Sequence, residues 1–166
     1  MIAPHHQPIW QAAKPYLQTR SNERHTRYCY VFAQQLLKLH PEAEVEIVLP
    51  TLLLHDVGWS TVPDDKQLLS FGPNMRYPKL RRQHETEGVR IATEILRELG
   101  YDSTQIQPIT AIIDGHDTRK ESLSFNDSLM KDADKLWRYT PFGLKTVGGW
   151  FGYTTREQLD LLEKWL

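Results

Sequence analysis

Leu52-Leu53-Leu54-His55-Asp56-Val57-Gly58 sets an imidazole and a carboxylate side by side at the end of an apolar run. Alone, such a dipeptide decides little. Outward from it, His25 lies upstream and His84, His116 and Asp134 lie downstream, each in a different segment with an apolar face of its own. A lone histidine on such a face is more often a satisfied core residue than a ligand. Several imidazoles and carboxylates on faces that must all pack inward are a different matter. Burying them unpaired carries a heavy desolvation cost, whereas a metal ion satisfies them together. Iron, manganese, zinc, nickel and cobalt all suit this mixture of donors. His5, His6 and His40, near the terminus or at a helix end, are read as ordinary side chains.

The surrounding segments read as helices. Ser21 or Asn22 can cap a helix over residues 23–39, with Tyr28, Val31, Phe32, Leu36 and Leu39 at helical spacing before Pro41. The apolar segment 45–57 contains Pro50, which is expected to kink or interrupt it. Residues 60–78 carry Pro63, Gly72, Pro73 and Pro78 with little periodicity and are expected to form a long loop. A helix over 80–99 follows, closed by Gly100, with Gly88, Ile91, Ile95 and Leu99 as its buried stripe and His84 one turn back. Asp102 or Ser103 caps the next helix, through Ile106, Ile109, Ile112 and Ile113, and His116 continues its face. Beyond the polar loop 118–124, a helix over 127–139 sets Asp134 beside Met130 and Trp137. The tail reads as a turn-rich segment, 148–152, and a last helix begun by Thr154 or Thr155. No strand pattern is evident, so the fold class is all-α.

At 166 residues, with 40% hydrophobic and 25% charged, the chain is most simply a single globular domain over 1–166. Disorder does not fit that balance. No apolar run approaches the ~20 residues of a membrane-spanning helix. Cys29, the single cysteine, forms neither an internal disulfide nor a thiolate zinc site, and a cytoplasmic protein is expected. A net charge of −1 gives no general attraction to a nucleic-acid polymer or an anionic membrane. An anionic ligand must therefore be held by local bases. Lys131 and Arg138 flank Asp134 at helical spacing, Lys120 lies beyond His116, and Arg81 and Arg82 precede His84; these five are the candidates for substrate binding. For any one of them a solvated or surface-paired role is the commoner alternative.

The ordered series His25, His55-Asp56, His84, His116, Asp134 resembles the HD-domain superfamily of metal-dependent phosphohydrolases. Supporting context is Ile112-Ile113-Asp114-Gly115-His116 and Asp132-Ala133-Asp134-Lys135-Leu136. The resemblance implies an all-α HD-domain bundle of at least five core helices, with a metal-binding core over about 20–140 and a C-terminal helical extension over about 141–166. It implies that all six residues are metal ligands holding two ions, iron or manganese, with zinc, nickel and cobalt compatible. Asp56 would bridge them and orient a metal-bound hydroxide. Asp117 and Asp132 are expected to support the ligands or to be solvated.

The activity implied is hydrolysis of a small phosphate ester or nucleotide. The alternative is a mixed-valent di-iron oxygenase acting on a small polyol or phosphonate, since that branch uses the same ligands. The expected partner is a small phosphorylated molecule, with a homodimer compatible and neither membrane nor nucleic-acid polymer involved. Where many two-metal members carry a lysine after the His-Asp segment, this chain has Trp59 and Ser60. Specificity is accordingly expected in the insert between Asp56 and His84 and in residues 137–143.

Overall fold

A computed structural model describes residues 1–163, and among them the secondary structure is helical throughout. The helices are α1 (Gln7–Ala13), α2 (Asn22–Leu39), α3 (Val45–Leu54), α4 (Asp64–Gln67), α5 (Pro78–Glu98), α6 (Ser103–Ile113), α7 (Phe125–Leu136), α8 (Pro141–Phe151) and α9 (Thr155–Leu162). The C-terminal extension is thus described to residue 163, and residues 164–166 lie outside the described part.

The bundle is organised around α3. Every residue from Val48 to Leu54 is buried, and a helix apolar on all sides belongs at the centre of a core. It touches α1, α2, α6 and α7. Pro50 does not interrupt it. The intrahelical bond it forfeits is the one to the Glu46 carbonyl in the first turn, and burial of the remaining turns outweighs that loss.

Other boundaries differ from the sequence reading for definable reasons. The buried face of α2 carries His25, Thr26, Cys29, Tyr30 and Ala33, while Val31 and Leu39 are exposed. Tyr28, Phe32 and Leu36 of the apolar repeat are partly buried against the core, so periodicity finds the flank of the inward face, while its centre carries His25, Thr26 and Cys29. Ser21 occupies the N-cap position of α2 with a left-handed backbone and makes no side-chain cap bond. On α5 the buried stripe includes Ala92 and Leu96 in place of the half-exposed Leu99, and the helix begins at Pro78. Gly100 follows its end with φ +84°.

The expected loop 60–78 is partly ordered by a 3₁₀ turn, Val57–Thr61, and by α4. The buried Gln67 amide there donates to the Trp59 and Val62 carbonyls. The expected turn at 148–152 is the last part of α8, which Gly152 ends with φ +73°. Gly148 leaves room for the Tyr153 carbonyl and the Gln158 amide, so α9 folds back onto α8. Asp102 and Thr154 cap α6 and α9 through reciprocal capping boxes. Ser124 caps α7. The N-terminal helix α1 has no counterpart in the sequence reading; it buries Ile9, Trp10 and Ala13 against α3, and His6 Nδ1 meets the Tyr30 hydroxyl at 2.8 Å just before it.

Candidate metal centre

Six side chains from five segments converge. His25 comes from the first turn of α2, His55 and Asp56 from the end of α3, His84 from α5, His116 from the turn after α6, and Asp134 from α7. His25 Nε2 lies 3.1 Å from Asp134 Oδ1, 3.3 Å from His55 Nε2 and 3.6 Å from Asp56 Oδ2. Asp56 Oδ1 is 3.6 Å from His55 Nε2 and 3.7 Å from His116 Nε2. His84 Nε2 stands 3.4 Å from His116 Nε2 and 3.6 Å from Asp117 Oδ2. The donors fall into overlapping groups, His25/His55/Asp134, His55/Asp56/His116 and His84/His116/Asp117, and the Asp56 carboxylate reaches from the first to the last pair of imidazoles.

Backbone and neighbours fix the ring orientations. The Nδ1 positions of His55 and His116 lie 2.8 and 2.9 Å from the carbonyls of Leu52 and Ile113. Donation from Nδ1–H turns each Nε2 lone pair inward, the arrangement found behind metal-binding imidazoles. His84 is held differently, its ring stacked on Trp59 at 4.0 Å and 12°. That contact depends on Gly58, because a methyl group there would collide with the His84 carbonyl. Gly88 faces the His55 carbonyl across the same contact.

The fully buried Glu85 joins α5 to the His116 turn. Its carboxylate accepts from the backbone N–H groups of Asp117 and Thr118, at 2.9 and 2.8 Å, and from the Thr118 hydroxyl, and it pairs with Arg82.

Charge within the cluster is strongly coupled. Burial holds His84 down to about 4, helped by the charge of His116. Burial also lowers His116, but its pairing with the Asp56 carboxylate and the charge of Asp117 outweigh this and lift it to about 9. Asp56 and Asp134 are buried, which would raise them, yet the surrounding imidazoles pull both well below the usual carboxylate range. Burial, reinforced by Asp134 and Asp56, pushes the Cys29 thiol up, so it stays protonated beside His25. The cluster is thus an assembly of ionised carboxylates balanced by imidazole protons. A divalent ion replaces those protons with the same sign of charge, and the nitrogen and oxygen donors fit the transition metals named above.

His25, Asp56, His116, Asp117 and Asp134 line the floor of a cavity of about 420 Å³, with His55 and His84 packed behind them. Of the five basic residues read from the sequence, Arg81 and Arg138 line it. Lys131 pairs with the buried Asp127, Arg82 pairs with Glu85 and Asp114, and Lys120 is exposed. Asp132 is exposed as well, whereas Asp117 joins the donors at the His84 end. His5 and His6 form a separate group with Glu46. Sequence reasoning passed over Arg20 and Asn22, both of which line the cavity. Neither lies on an apolar helical repeat. The usable signal for Asp117 was its place directly after His116.

The family model described as HD domain matches residues 22–139, from the start of α2 to the turn after α7. No curated protein and no solved structure matches the chain.

Proposed function

The chain belongs to the HD-domain family, within the metal-dependent phosphohydrolase superfamily, and from that premise we propose that it hydrolyses a small phosphate ester or nucleotide with two transition-metal ions, iron or manganese. The observation that carries this reading is the Asp56 carboxylate, placed between two sets of imidazoles at the floor of a cavity that Arg81 and Arg138 also line. Bound metal ions supply an acidified water and positive charge for the phosphoryl oxygens.

The chain's own residues do the rest. His25, His55 and Asp134 would hold one ion, and His84 and His116 the other, with Asp117 beside them. Asp56, kept ionised and near both sets of imidazoles, would orient the attacking water. Arg81 and Arg138 take phosphoryl oxygens. The water oxygen bonds to phosphorus, the ester P–O bond breaks, and the water's proton ends on the departing alcohol. The buried Cys29 thiol takes no part as a nucleophile.

Protein loaded with manganese or iron is expected to release phosphate from a member of a nucleotide and phosphomonoester panel, and His55→Ala and Asp56→Ala to abolish release. Turnover that survives both substitutions would remove the metal mechanism. Oxygen uptake by the reduced iron-loaded protein, without phosphate release, would replace hydrolysis by oxygenation.

A further inference from the structure

Arg20 stands outside the family match and its role follows from its surroundings. It adopts a left-handed backbone, φ +49°, just before α2. Its guanidinium lies 4.3 Å from the Trp59 ring centroid and 4.9 Å from that of Phe71, with Trp150 at 5.7 Å. On one edge Nε donates to Gln67 Oε1 at 2.7 Å, and Gln67 is itself anchored by backbone carbonyls. On the other edge Nη2 is buried and has no hydrogen-bond partner. Two further donors of the same cavity are in that condition. Asn22 Nδ2 is unpartnered although the residue is only 2% exposed, and Arg81 Nε makes no hydrogen bond, although it is ion-paired with the Asp117 carboxylate at 3.7 Å. Buried N–H groups without acceptors are costly, and three around one cavity ask for a ligand rich in acceptor oxygens.

The rest of the cavity has the opposite character. Its outer wall comes from α8, α9 and the residues joining them, beyond the family match, and carries Val147, Trp150, Phe151, Tyr153 and Leu161, with Gln158 as a buried polar group. Such a wall stabilises flat or apolar surface and leaves sugar hydroxyls short of partners.

We infer that the substrate is a phosphate monoester of an apolar, ring-bearing alcohol, with Arg20 and Asn22 donating to its phosphoryl oxygens and the α8–α9 wall covering its ring. This rests on the phosphoester reading of the same site, and binding can be measured apart from turnover. Phenylphosphonate has no ester bond to cleave, and methylphosphonate lacks only the ring. Calorimetric titration of the manganese-loaded full chain should show phenylphosphonate binding more tightly than methylphosphonate. Arg20→Met should weaken both by about tenfold or more, the loss expected of a charged hydrogen bond. Trp150→Ala should weaken phenylphosphonate by a larger factor than methylphosphonate and so reduce the preference for the ring.

Arg20→Lys keeps the charge and should fall between wild type and Arg20→Met, and it carries the test if circular dichroism shows the methionine variant misfolded. Equal binding of the two phosphonates, or unaltered binding in the Arg20 variants, overturns the inference. Binding as expected, with no phosphate released from phenyl phosphate by the metal-loaded wild type, overturns hydrolysis and leaves the recognition assignment standing.

Discussion

The floor and the outer wall of the cavity are built by opposite rules. The floor is polar, buried and contributed by segments within residues 22–139, the span the family model covers. The wall is largely aromatic and aliphatic, and comes from Arg20, the segment at Phe71–Pro73 and the α8–α9 unit, most of it outside that span. Buried imidazoles and carboxylates tolerate little displacement, so the floor is tied to backbone at Leu52 and Ile113 and closed by a glycine contact at Gly58. Rings in van der Waals contact accept many arrangements, and the wall is free to differ where the floor is not. On the proposed function, the first region would set the chemistry and the second the selection.

The comparison breaks most readily at the donors. His55→Ala or Asp56→Ala should remove metal retention as well as turnover while the helical circular dichroism persists, read by metal analysis after gel filtration. Retention of both ions in either variant would mean that the floor is not the metal site. Gly58→Ala comes next. Its methyl meets backbone, which has little freedom to yield, and the variant should lose stability by roughly 1–3 kcal/mol in urea unfolding and bind metal more weakly, although no ligand is altered.

Glu85→Gln should cost about 1–3 kcal/mol by weakening the acceptor that holds the Asp117 and Thr118 N–H groups. Arg82 and Thr118 keep the Glu85 carboxyl below its ordinary value despite burial. A folded-state value below the unfolded one stabilises above the unfolded value, near ~4.3, and that contribution is lost as pH falls through the folded one. The stability gap between wild type and Glu85→Gln should therefore be full at neutral pH and close in acid.

Metal binding itself should weaken as pH falls, because each ion displaces imidazole protons. His116, lifted to about 9 in the metal-free chain, still carries its proton at neutrality, so manganese affinity should rise between neutral pH and about 9. Calorimetric titration in buffers of different ionisation enthalpy reads the released protons. A flat affinity profile would argue that His116 is not a ligand. The smallest effect belongs to the wall. Phe151→Ala should leave metal content and kcat nearly unchanged and raise KM for a ring-bearing substrate, which separates selection from chemistry.

Much of the floor was legible in one dimension. His25, His84 and His116 stand on or just beyond segments with a clear helical pattern, and the helices read over 23–39, over 80–99 and through Ile106 to Ile113 lie close to those observed. From the sequence, Asp117 is expected only to support the ligands or to be solvated, and it is the fold that sets its carboxylate 3.6 Å from His84 Nε2. On α2 the apolar repeat marks the flank of the inward face through Tyr28, Phe32 and Leu36, but not its centre, where His25, Thr26 and Cys29 are small or polar and escape a count of apolar residues. Lys131 stood at helical spacing from Asp134, but the buried Asp127, one turn before it, takes its ammonium. Gly148 and Gly149 looked like a turn, and only the close approach of α9 shows why glycine suits a helix there.

The amino-acid sequence by itself determined the all-helical class, the donor types and their order, because apolar periodicity and residue chemistry are local properties. Tertiary structure alone decided that Arg20 reaches the same cavity, that Asp117 joins His84 and His116, and that α8 and α9 form its outer wall. Those relations join residues far apart along the chain. They arise from the packing of α5 on the Gly58 turn and of α9 on α8, which no single segment encodes.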